Sequence, residues 1–265
     1  MSALLLSGKS VLVTGSTSGI GLGIATQFAK AGATLMVHGL EGEDQVAPLL
    51  AKLRSFSSPK VSYTQADISS EAGCSKLVSE TVSKLGNKLD ILVNNAGIQY
   101  TARTEDYPSE RWDAVMRINL TAPFLLSKAV LPGMYDRGWG RLVHIGSAHS
   151  MRGSVNKSAY CASKHGVLGM SRAIALECAG TGVTSNTICP GFAETPLVLK
   201  QVDKLAEERG ISKEAAKNLF LLDKHPTAEF VKPENLGAFA VFLSSEAGGQ
   251  VNGAALSMDV GWTTR

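Results

Sequence analysis

A glycine-rich turn near the start of the chain joins an apolar, β-branched run to a helical pattern. Ser10–Thr14 reads SVLVT and indicates a buried strand, and the helical pattern that follows closes at Gly32. The turn between them carries Gly15, Gly19 and Gly21. Glycines let a backbone approach a pyrophosphate, and a helix N-terminus offers free N–H groups and positive potential. The unit therefore predicts a phosphate-binding turn, with an unliganded glycine turn as the alternative.

The same alternation of apolar and helical patterns continues along the chain. Further strands are predicted at Ala33–His38, Val61–Gln65, Leu89–Val93, Arg141–Gly146, Val183–Cys189 and Ala254–Asp259. Helices are predicted at Glu43–Ser55, from Glu110 through Leu131, around Tyr160 through Ala179, and at Pro233–Leu243. Strands that alternate with helices predict an α/β fold with a doubly wound, parallel, seven-stranded sheet.

Residues 1–265 contain no repeat, linker or low-complexity stretch, which predicts one domain. Within it, the charged helical segment 197–230 leaves the sheet at the edge where ligands bind. Such a segment is a candidate substrate lid, although its charges also suit an ordinary solvated surface.

Composition excludes several classes of protein. The chain is 44% hydrophobic and 18% charged, which suits a soluble globular protein, and its +3 net charge is scattered, which argues against nucleic acid binding. The opening MSALLLSGKS lacks the basic leader of a signal peptide, and no run approaches ~18 apolar residues, so we expect a cytoplasmic protein without a membrane span. The four cysteines form no C-x-x-C pair, so we expect reduced structural thiols and no metal site.

Residues at the predicted strand ends suit a dinucleotide. Asp67 follows the third strand and can accept a hydrogen bond from an adenine amino group, or can cap the next helix. Asn94–Gly97 follows the fourth strand and fits a backbone that passes close to a flat ligand, although a tight turn also explains Asn and Gly. After the sixth strand, the hydroxyl of Thr195 is expected near the nicotinamide amide.

The choice between the two nicotinamide cofactors depends on the end of the second strand. It reads His38-Gly39-Leu40, without the acid that holds the ribose diol of NAD or a cation for the extra phosphate of NADP. The glycine turn also has Ser18, not a basic residue, before Gly19. NAD is therefore the predicted cofactor. His38 is interpreted as an ordinary strand-end histidine, with a contact to adenosine as the alternative.

The segment after the fifth strand carries the groups for proton transfer. Tyr160 and Lys164 lie four residues apart, one turn along the same face of a helix. A neighbouring ammonium favours the phenolate and lowers the pKa of a tyrosine from about 10. The hydroxyl of Ser147 can hold a carbonyl or alcohol oxygen against that phenol. A core Tyr and an exposed Lys would explain the pair without chemistry.

Together these motifs resemble the short-chain dehydrogenase/reductase family along the whole chain. The matching motifs are TGSTSGIG, Asp67, NNAG, Asn119, Ser147, YCASK and the PG turn. The resemblance implies a Rossmann fold, Tyr160 as general acid/base, Lys164 as its pKa-lowering partner and ribose ligand, Ser147 as the substrate-orienting hydroxyl, and Asn119 as the holder of a relay water. The predicted cofactor contacts are Gly15, Thr17, Ser18, Gly19, Ile20, Gly21, Asp67, Ile68, Asn95, Ala96, Gly97, Tyr160, Lys164, Pro190, Gly191 and Thr195.

Within that family, the chain resembles the bacterial D-3-hydroxybutyrate dehydrogenases. The shared segments are NNAGIQYTA, SAHS, SVNKSAY, NTICPGF, TPLVLKQ and GWTTR. The resemblance implies that substrate is held by Gln99, Ser147, His149, Lys157, Tyr160, Phe192 and Gln201, of which Gln99, His149, Lys157 and Gln201 grip its carboxylate. Phe192 replaces the tryptophan that is frequent there, which can enlarge the pocket toward five-carbon acids.

The resemblance implies a homotetrameric, NAD-dependent oxidoreductase that interconverts (R)-3-hydroxybutyrate and acetoacetate. An NADPH-dependent ketoreductase acting on a larger ketone or acyl thioester is the main alternative, and the missing cations near Ser18 and Gly39 argue against it. A cofactor-sensing regulatory protein is the third, but proteins of that class typically lose the active-site Tyr or Lys, and both are present.

Overall fold

The computed structural model describes residues 4–222 and 224–264. Seven parallel strands form one sheet in the order β3-β2-β1-β4-β5-β6-β7. The strands are β1 (Ser10–Val13), β2 (Thr34–Gly39), β3 (Val61–Gln65), β4 (Ile91–Asn94), β5 (Gly140–Ile145), β6 (Val183–Pro190) and β7 (Ala255–Met258). The helices are α1 (Gly19–Lys30), α2 (Glu43–Arg54), α3 (Glu71–Lys84), α4 (Ser109–Met116), α5 (Ala122–Asp136), α6 (Ser158–Glu177), α7 (Pro196–Arg209), α8 (Lys213–Leu222) and α9 (Pro233–Ser244). The predicted fold class is confirmed.

The sheet is covered on both faces, which explains why the central strands β1 and β4 are mostly apolar. Alternate residues of a strand point to opposite faces, so Val11 and Val13 of β1 join one apolar core and Leu12 joins the other. The first core includes residues of α1 and α9, and the second includes residues of α3 and α5. A strand buried on both faces cannot show the alternation of a half-exposed strand.

The strand order reverses between β1 and β4, and the two turns that follow these strands meet there. The N–H of Thr14 donates to the carbonyl of Val93 at 3.0 Å, and the Asn95 side-chain amide donates to the carbonyls of Thr14 and Gly15 at 2.9 and 3.1 Å. In open α/β sheets the crevice at such a reversal is where ligands bind. The two predicted binding turns therefore lie side by side.

The long helix predicted from Glu110 through Leu131 is present as the helical run Ser109–Asp136, with a π turn inside it. A π-helical turn at Arg117–Thr121 separates α4 from α5, and it contains Asn119. The Oδ1 atom of Asn119 accepts from the N–H of Ile98 at 2.8 Å, and its Nδ2 atom donates to the Ile98 carbonyl at 2.9 Å. The wider turn and this double hydrogen bond hold the loop after β4 against the helix.

The combined segment Ser109–Asp136 is long and apolar enough to cross a bilayer by length and composition. In the fold it packs against α3 and α6, the position of a core helix.

The predicted segment 197–230 forms a helical hairpin, α7 and α8, with a small apolar core of its own. That core is formed by Val202, Ala206, Ala216, Leu221 and Phe230. The chain then returns to the turn after β6, where the N–H of Val231 donates to the Phe192 carbonyl at 2.9 Å. The hairpin is thus attached beside the ligand edge of the sheet, where a lid would have to lie.

Candidate active site

An open cleft of about 490 Å³ runs along the carboxyl ends of the strands. It is lined by twenty of the predicted site residues: Gly15, Thr17, Ser18, Gly19, Ile20, Asp67, Ile68, Asn95, Ala96, Gly97, Gln99, Ser147, His149, Lys157, Tyr160, Lys164, Gly191, Phe192, Thr195 and Gln201. Gly21, Asn119 and Pro190 are not among its lining residues. The fold therefore brings together residues that lie up to 186 positions apart, from Gly15 to Gln201.

The glycine turn at one end of the cleft fits a pyrophosphate. Gly15 and Gly19 have positive φ angles of 60° and 54°, which side chains rarely adopt. A Cβ atom at Gly21 would overlap the Gly15 carbonyl oxygen, so glycine is required for α1 to start this close to the turn. Ser18 is the N-cap of α1, yet within the described chain its side chain makes no capping hydrogen bond. The first N–H groups of α1 are thereby left for an anion.

At the adenosine end of the cleft, Asp67 lines the cleft and does not take the alternative role of capping the next helix. Ser70, not Asp67, caps α3: its hydroxyl accepts from the N–H of Gly73 at 3.0 Å. Asp67 accepts from the N–H of Ser69 at 2.9 Å and lines the cleft. Ser70 caps α3 because it lies immediately before the first helical residue. The Asp67 carboxylate therefore remains exposed to the cleft.

His38 makes hydrogen bonds within the fold and also lines the cleft. It is buried, its Nδ1 atom accepts from the N–H of Gly15 at 3.0 Å, and its Nε2 atom lies 2.9 Å from the carbonyl oxygen of Ala66. Burial lowers the pKa of His38, so the ring is neutral. The ring joins the ends of three strands beneath the adenosine end of the cleft.

An acid missed by the sequence argument lies beside Gly39. Glu41 lies one residue after His38-Gly39-Leu40, and its carboxylate folds back toward Leu40 and Thr17. Its Oε1 atom accepts from the hydroxyl of Thr17 at 3.0 Å, and its Oε2 atom accepts from the N–H of Leu40 at 3.0 Å. Both Glu41 and Thr17 line the cleft. An acid within two residues of the strand end was the signal that could have found it.

At the centre of the cleft, Ser147, Tyr160 and Lys164 come together. Ser147 caps a 3₁₀ turn after β5, and its hydroxyl accepts from the N–H of His149 at 3.2 Å. The Nζ atom of Lys164 donates to the carbonyl of Ile145 at 2.7 Å and lies 5.6 Å from the Tyr160 ring centre. The spacing in α6 predicts this arrangement, because residues four apart share a helix face.

Burial controls the pKa values of this pair in the structure. It raises the pKa of Tyr160, which the Ser147 hydroxyl lowers only in part, and it lowers the pKa of Lys164 to about 8. The sequence argument expected Lys164 to lower the pKa of Tyr160. In the structure desolvation of the phenolate has the larger effect, so Tyr160 carries its proton at neutral pH.

His149 is the residue at the substrate end of the cleft whose hydrogen bonding is most incomplete. It is 2% exposed, and neither ring nitrogen has a hydrogen-bond partner within residues 4–222 and 224–264. Burial first, and then the positive charge of Lys157, lower its pKa to about 4, although the Arg152 backbone opposes this. Its ring meets those of Tyr160 and Trp262 edge-on, at 6.0 and 5.0 Å. A neutral ring whose nitrogens make no well-formed hydrogen bond within the described residues therefore lies beside the predicted acid/base.

Lys157 and an aromatic wall complete this end. Lys157 occupies the N-cap position of α6 without a side-chain capping hydrogen bond in the described chain, and its Nζ atom lies 6.0 Å from the Phe192 ring centre. Burial, followed by the charge of Lys224, lowers the pKa of Lys157. The Phe192 and Trp262 rings lie 4.9 Å apart, and both line the cleft. Sequence reasoning noted Trp262 only within the GWTTR segment and did not place it at the site.

Two predicted contacts on α7 have additional structural roles. The hydroxyl of Thr195 caps the helix by accepting from the N–H of Val198 at 3.4 Å. The side chain of Gln201 lines the cleft, and its Nε2 atom donates to the Leu197 carbonyl at 3.3 Å. Both residues therefore connect the start of the α7–α8 hairpin to the cleft.

Residues 9–206 match the model of the short chain dehydrogenase family. The chain belongs to this family. This short-chain dehydrogenase is 48% identical over 261 residues to the D-beta-hydroxybutyrate dehydrogenase of Cupriavidus necator, covering 98% of this chain and 100% of that protein. It is 40% identical to the D-beta-hydroxybutyrate dehydrogenase of Rhizobium meliloti, covering 97% of this chain and 99% of that protein.

A solved structure from Beutenbergia cavernae resembles this short-chain dehydrogenase with a TM-score of 0.86 and 33% identity, covering 99% of this chain and 100% of that one. It is described as a candidate NAD(P)-dependent gluconate 5-dehydrogenase with NADP bound at low occupancy. The chain is thus an oxidoreductase of a family that uses nicotinamide cofactors, and its glycine turn and uncapped α1 fit the pyrophosphate of such a cofactor.

Proposed function

We propose that this enzyme interconverts (R)-3-hydroxybutyrate and acetoacetate with NAD. The observation that carries the proposal is the buried His149 ring, whose two nitrogens have no partner in the described chain, beside Tyr160 and Lys157. Buried polar groups are normally hydrogen-bonded, so unpartnered nitrogens on a ring that lines the cleft suggest groups kept for a ligand. The similarity to two D-beta-hydroxybutyrate dehydrogenases supports a small hydroxy acid as that ligand.

The proposed carboxylate site contains one cation and several neutral donors. Lys157 supplies the charge, and neutral His149, Gln99 and Gln201 supply hydrogen bonds from the other sides of the cleft. Charge-assisted hydrogen bonds are the strong ones in such a set. A single carboxylate would neutralise Lys157 and at the same time satisfy the ring of His149.

In the proposed reaction, Tyr160 moves a proton at the substrate oxygen. During oxidation the Tyr160 phenolate removes the hydroxyl proton, Ser147 holds the oxygen, and Lys164 stabilises the phenolate through its positive charge. When bound, the nicotinamide would accept the hydride from the substrate carbon that bears this hydroxyl. During reduction the proton on Tyr160 passes to the carbonyl oxygen, and the raised pKa of Tyr160 keeps the phenol protonated before that transfer. Asn119 is proposed to hold a relay water next to this group, from the π turn.

The position of Glu41 supports a preference for NAD over NADP. Its carboxylate, held by Thr17 and Leu40, lies where an acid can accept from the ribose hydroxyls of NAD and repel the extra phosphate of NADP. Glu41 is exposed to solvent of high dielectric constant, so its repulsion of a phosphate charge about 5 Å away is worth about 1 kcal/mol. Glu41→Gln should therefore raise the NADP-to-NAD ratio of kcat/KM roughly fivefold, since 1.4 kcal/mol is a factor of ten.

Glu43→Gln is the matched control, because Glu43 is also exposed and does not line the cleft. A wild-type enzyme that uses NADP as well as NAD would contradict the cofactor proposal. An unchanged ratio in Glu41→Gln would remove Glu41 from it.

The substrate is tested by NADH formation from (R)- and (S)-3-hydroxybutyrate and from the methyl ester of the (R)-acid. Lys157→Met should lower kcat/KM for the acid roughly ten- to a hundredfold, because a charge-assisted hydrogen bond is worth ~1.5–3 kcal/mol. Activity on the ester should change little. Lys200→Met is the control, since Lys200 is exposed on α7 and does not line the cleft. A wild type that prefers the ester, or equal losses on acid and ester in Lys157→Met, would contradict the assignment.

We also propose a cytoplasmic homotetramer. Large apolar side chains are exposed on three helices, namely Phe124 on α5, Leu176 on α6 and Phe242 on α9, which are 49%, 80% and 41% exposed. Contact between copies would cover them. Light scattering should give about four times the 27.9 kDa mass of the chain, and a monomer would contradict the proposal.

A further inference from the structure

His225 is fully buried where the chain returns from the α7–α8 hairpin to the sheet. Its Nδ1 atom lies 2.7 Å from the carbonyl oxygen of Glu229, and its Nε2 atom accepts from the N–H of Phe192 at 2.9 Å. A carbonyl only accepts and an N–H only donates, so the ring hydrogen must be on Nδ1 and the lone pair on Nε2. Only this neutral tautomer makes both hydrogen bonds.

The ring of His225 lies behind the aromatic wall of the cleft and does not line the cleft itself. Its centre is 5.4 Å from that of Phe192 and 5.8 Å from that of Trp262, and these two rings do line the cleft. Gly191 makes this approach possible, because a Cβ atom there would lie 2.5 Å from Nε2 of His225. His225 therefore touches the wall of the pocket from its rear.

The backbone around His225 ties the same point to the end of α8. The N–H of His225 donates to the Leu221 carbonyl at 2.6 Å, and its carbonyl accepts from the N–H of Ala228 at 2.9 Å. One residue thus joins the end of the hairpin to the turn after β6. Any change in its side chain should be transmitted to Phe192, whose backbone N–H it holds.

We infer that His225 is a positioning residue that fixes Phe192 and, through it, the size of the substrate pocket. The inference rests on the proposed function, because it takes the cleft beside Phe192 to hold a short hydroxy acid. A second ring proton would face the Phe192 N–H, so the neutral form is required. Burial lowers the pKa of His225 and maintains this form; Lys224 acts in the same direction, and Asp259 and the Glu229 carbonyl act against it.

Two variants separate hydrogen bonding from ring packing. His225→Phe keeps a flat ring against Phe192 and Trp262 but loses both hydrogen bonds, whereas His225→Gln keeps an acceptor for Phe192 and a donor for Glu229. His225→Phe should raise KM for 3-hydroxybutyrate about tenfold, with kcat and the KM for NAD within about threefold of wild type. It should also reduce the preference for the four-carbon over the five-carbon acid. His225→Gln should restore most of the wild-type KM and most of the preference for the four-carbon acid. His165→Phe is the control, since His165 is exposed on α6.

Hydrogen exchange of the Phe192 amide tests the inference without a substrate. Exchange should be faster in His225→Phe and close to the wild-type rate in His225→Gln. If wild type does not oxidise 3-hydroxybutyrate, the proposed function fails, while the exchange result still decides whether His225 holds Phe192.

An unchanged KM in His225→Phe would overturn the inference, as would parallel losses of substrate and NAD binding, which a merely structural role predicts. Unchanged exchange at Phe192 would also overturn it. If His225→Phe does not fold, ¹⁵N-histidine spectra of the wild type show which ring nitrogen of His225 carries the hydrogen, and this tests the inference. A hydrogen on Nε2 of His225 would refute the inference, and a hydrogen on Nδ1, with restored exchange in His225→Gln, would support it.

Discussion

Acidification from pH 7 to pH 5 should destabilise the fold through His144, a fully buried residue of β5. Its Nδ1 atom lies 3.2 Å from Nδ2 of Asn94, and its Nε2 atom lies 3.3 Å from Oγ of Ser185. Burial, and then the charge of Lys164, lower the pKa of His144 from 6.5 to about 4. Between about pH 6.5 and pH 4, His144 therefore stays neutral in the folded protein but is protonated in the unfolded chain.

The sign and size of the effect follow from this difference. The stabilisation is fully present above the unfolded pKa of about 6.5, and it is lost as the pH falls toward the folded pKa of about 4. One pKa unit corresponds to 1.36 kcal/mol, so integration from pH 7 to pH 5 gives a loss of about 2 kcal/mol from this residue alone. His149, with a pKa also lowered to about 4, should add to the total for the protein.

The contribution of His144 is isolated by comparison with His144→Asn, which cannot titrate in this range. Denaturant unfolding at pH 7, 6 and 5, at one protein concentration, gives the stability difference between wild type and variant. His144→Asn should be less stable at pH 7, and the difference should shrink by about 2 kcal/mol at pH 5. His165→Asn is the control, because His165 is exposed. The stability difference between His165→Asn and wild type should not show the loss of about 2 kcal/mol between pH 7 and pH 5 that is expected for His144→Asn. A wild-type-to-His144→Asn difference that stays constant from pH 7 to pH 5 would refute the reasoning.

Three further predictions concern the cleft. Tyr160→Phe should lower turnover by on the order of a hundredfold or more while NAD binding persists, measured by steady-state rates and cofactor titration; near-normal turnover would reject Tyr160 as the acid/base. Because burial raises the pKa of Tyr160, the rate of hydroxybutyrate oxidation should increase from neutral toward alkaline pH and that of acetoacetate reduction should not, and matching profiles would count against this assignment. Gly21→Ala would place a methyl group against the Gly15 carbonyl and the Asn95 amide, so NAD affinity measured by fluorescence should fall at least tenfold, and unchanged affinity would show that the turn tolerates it.

Features that repeat along the chain were predictable from the sequence. The seven strands and the order of strands and helices follow from local patterns, because strands of a sheet covered on both faces are short runs rich in apolar and β-branched residues. The approach of Tyr160 to Lys164 follows from helix geometry, and the glycine turn follows from the positive φ angles that Gly15 and Gly19 adopt. Motifs of this kind require only neighbouring residues, so their family resemblance was also visible without a fold.

The sequence by itself therefore determined the α/β architecture and the family, and it predicted twenty of the residues that line the cleft. Only the tertiary structure decided the position of the Glu41 carboxylate, the π turn at Asn119, and the pairing of His225 with Phe192. It also decided that Tyr160 has a raised rather than a lowered pKa. Each of these depends on how deeply a group is buried and on partners distant along the chain. Hydrophobic periodicity specifies which face of an element is buried, but it does not specify the polar partners that meet there.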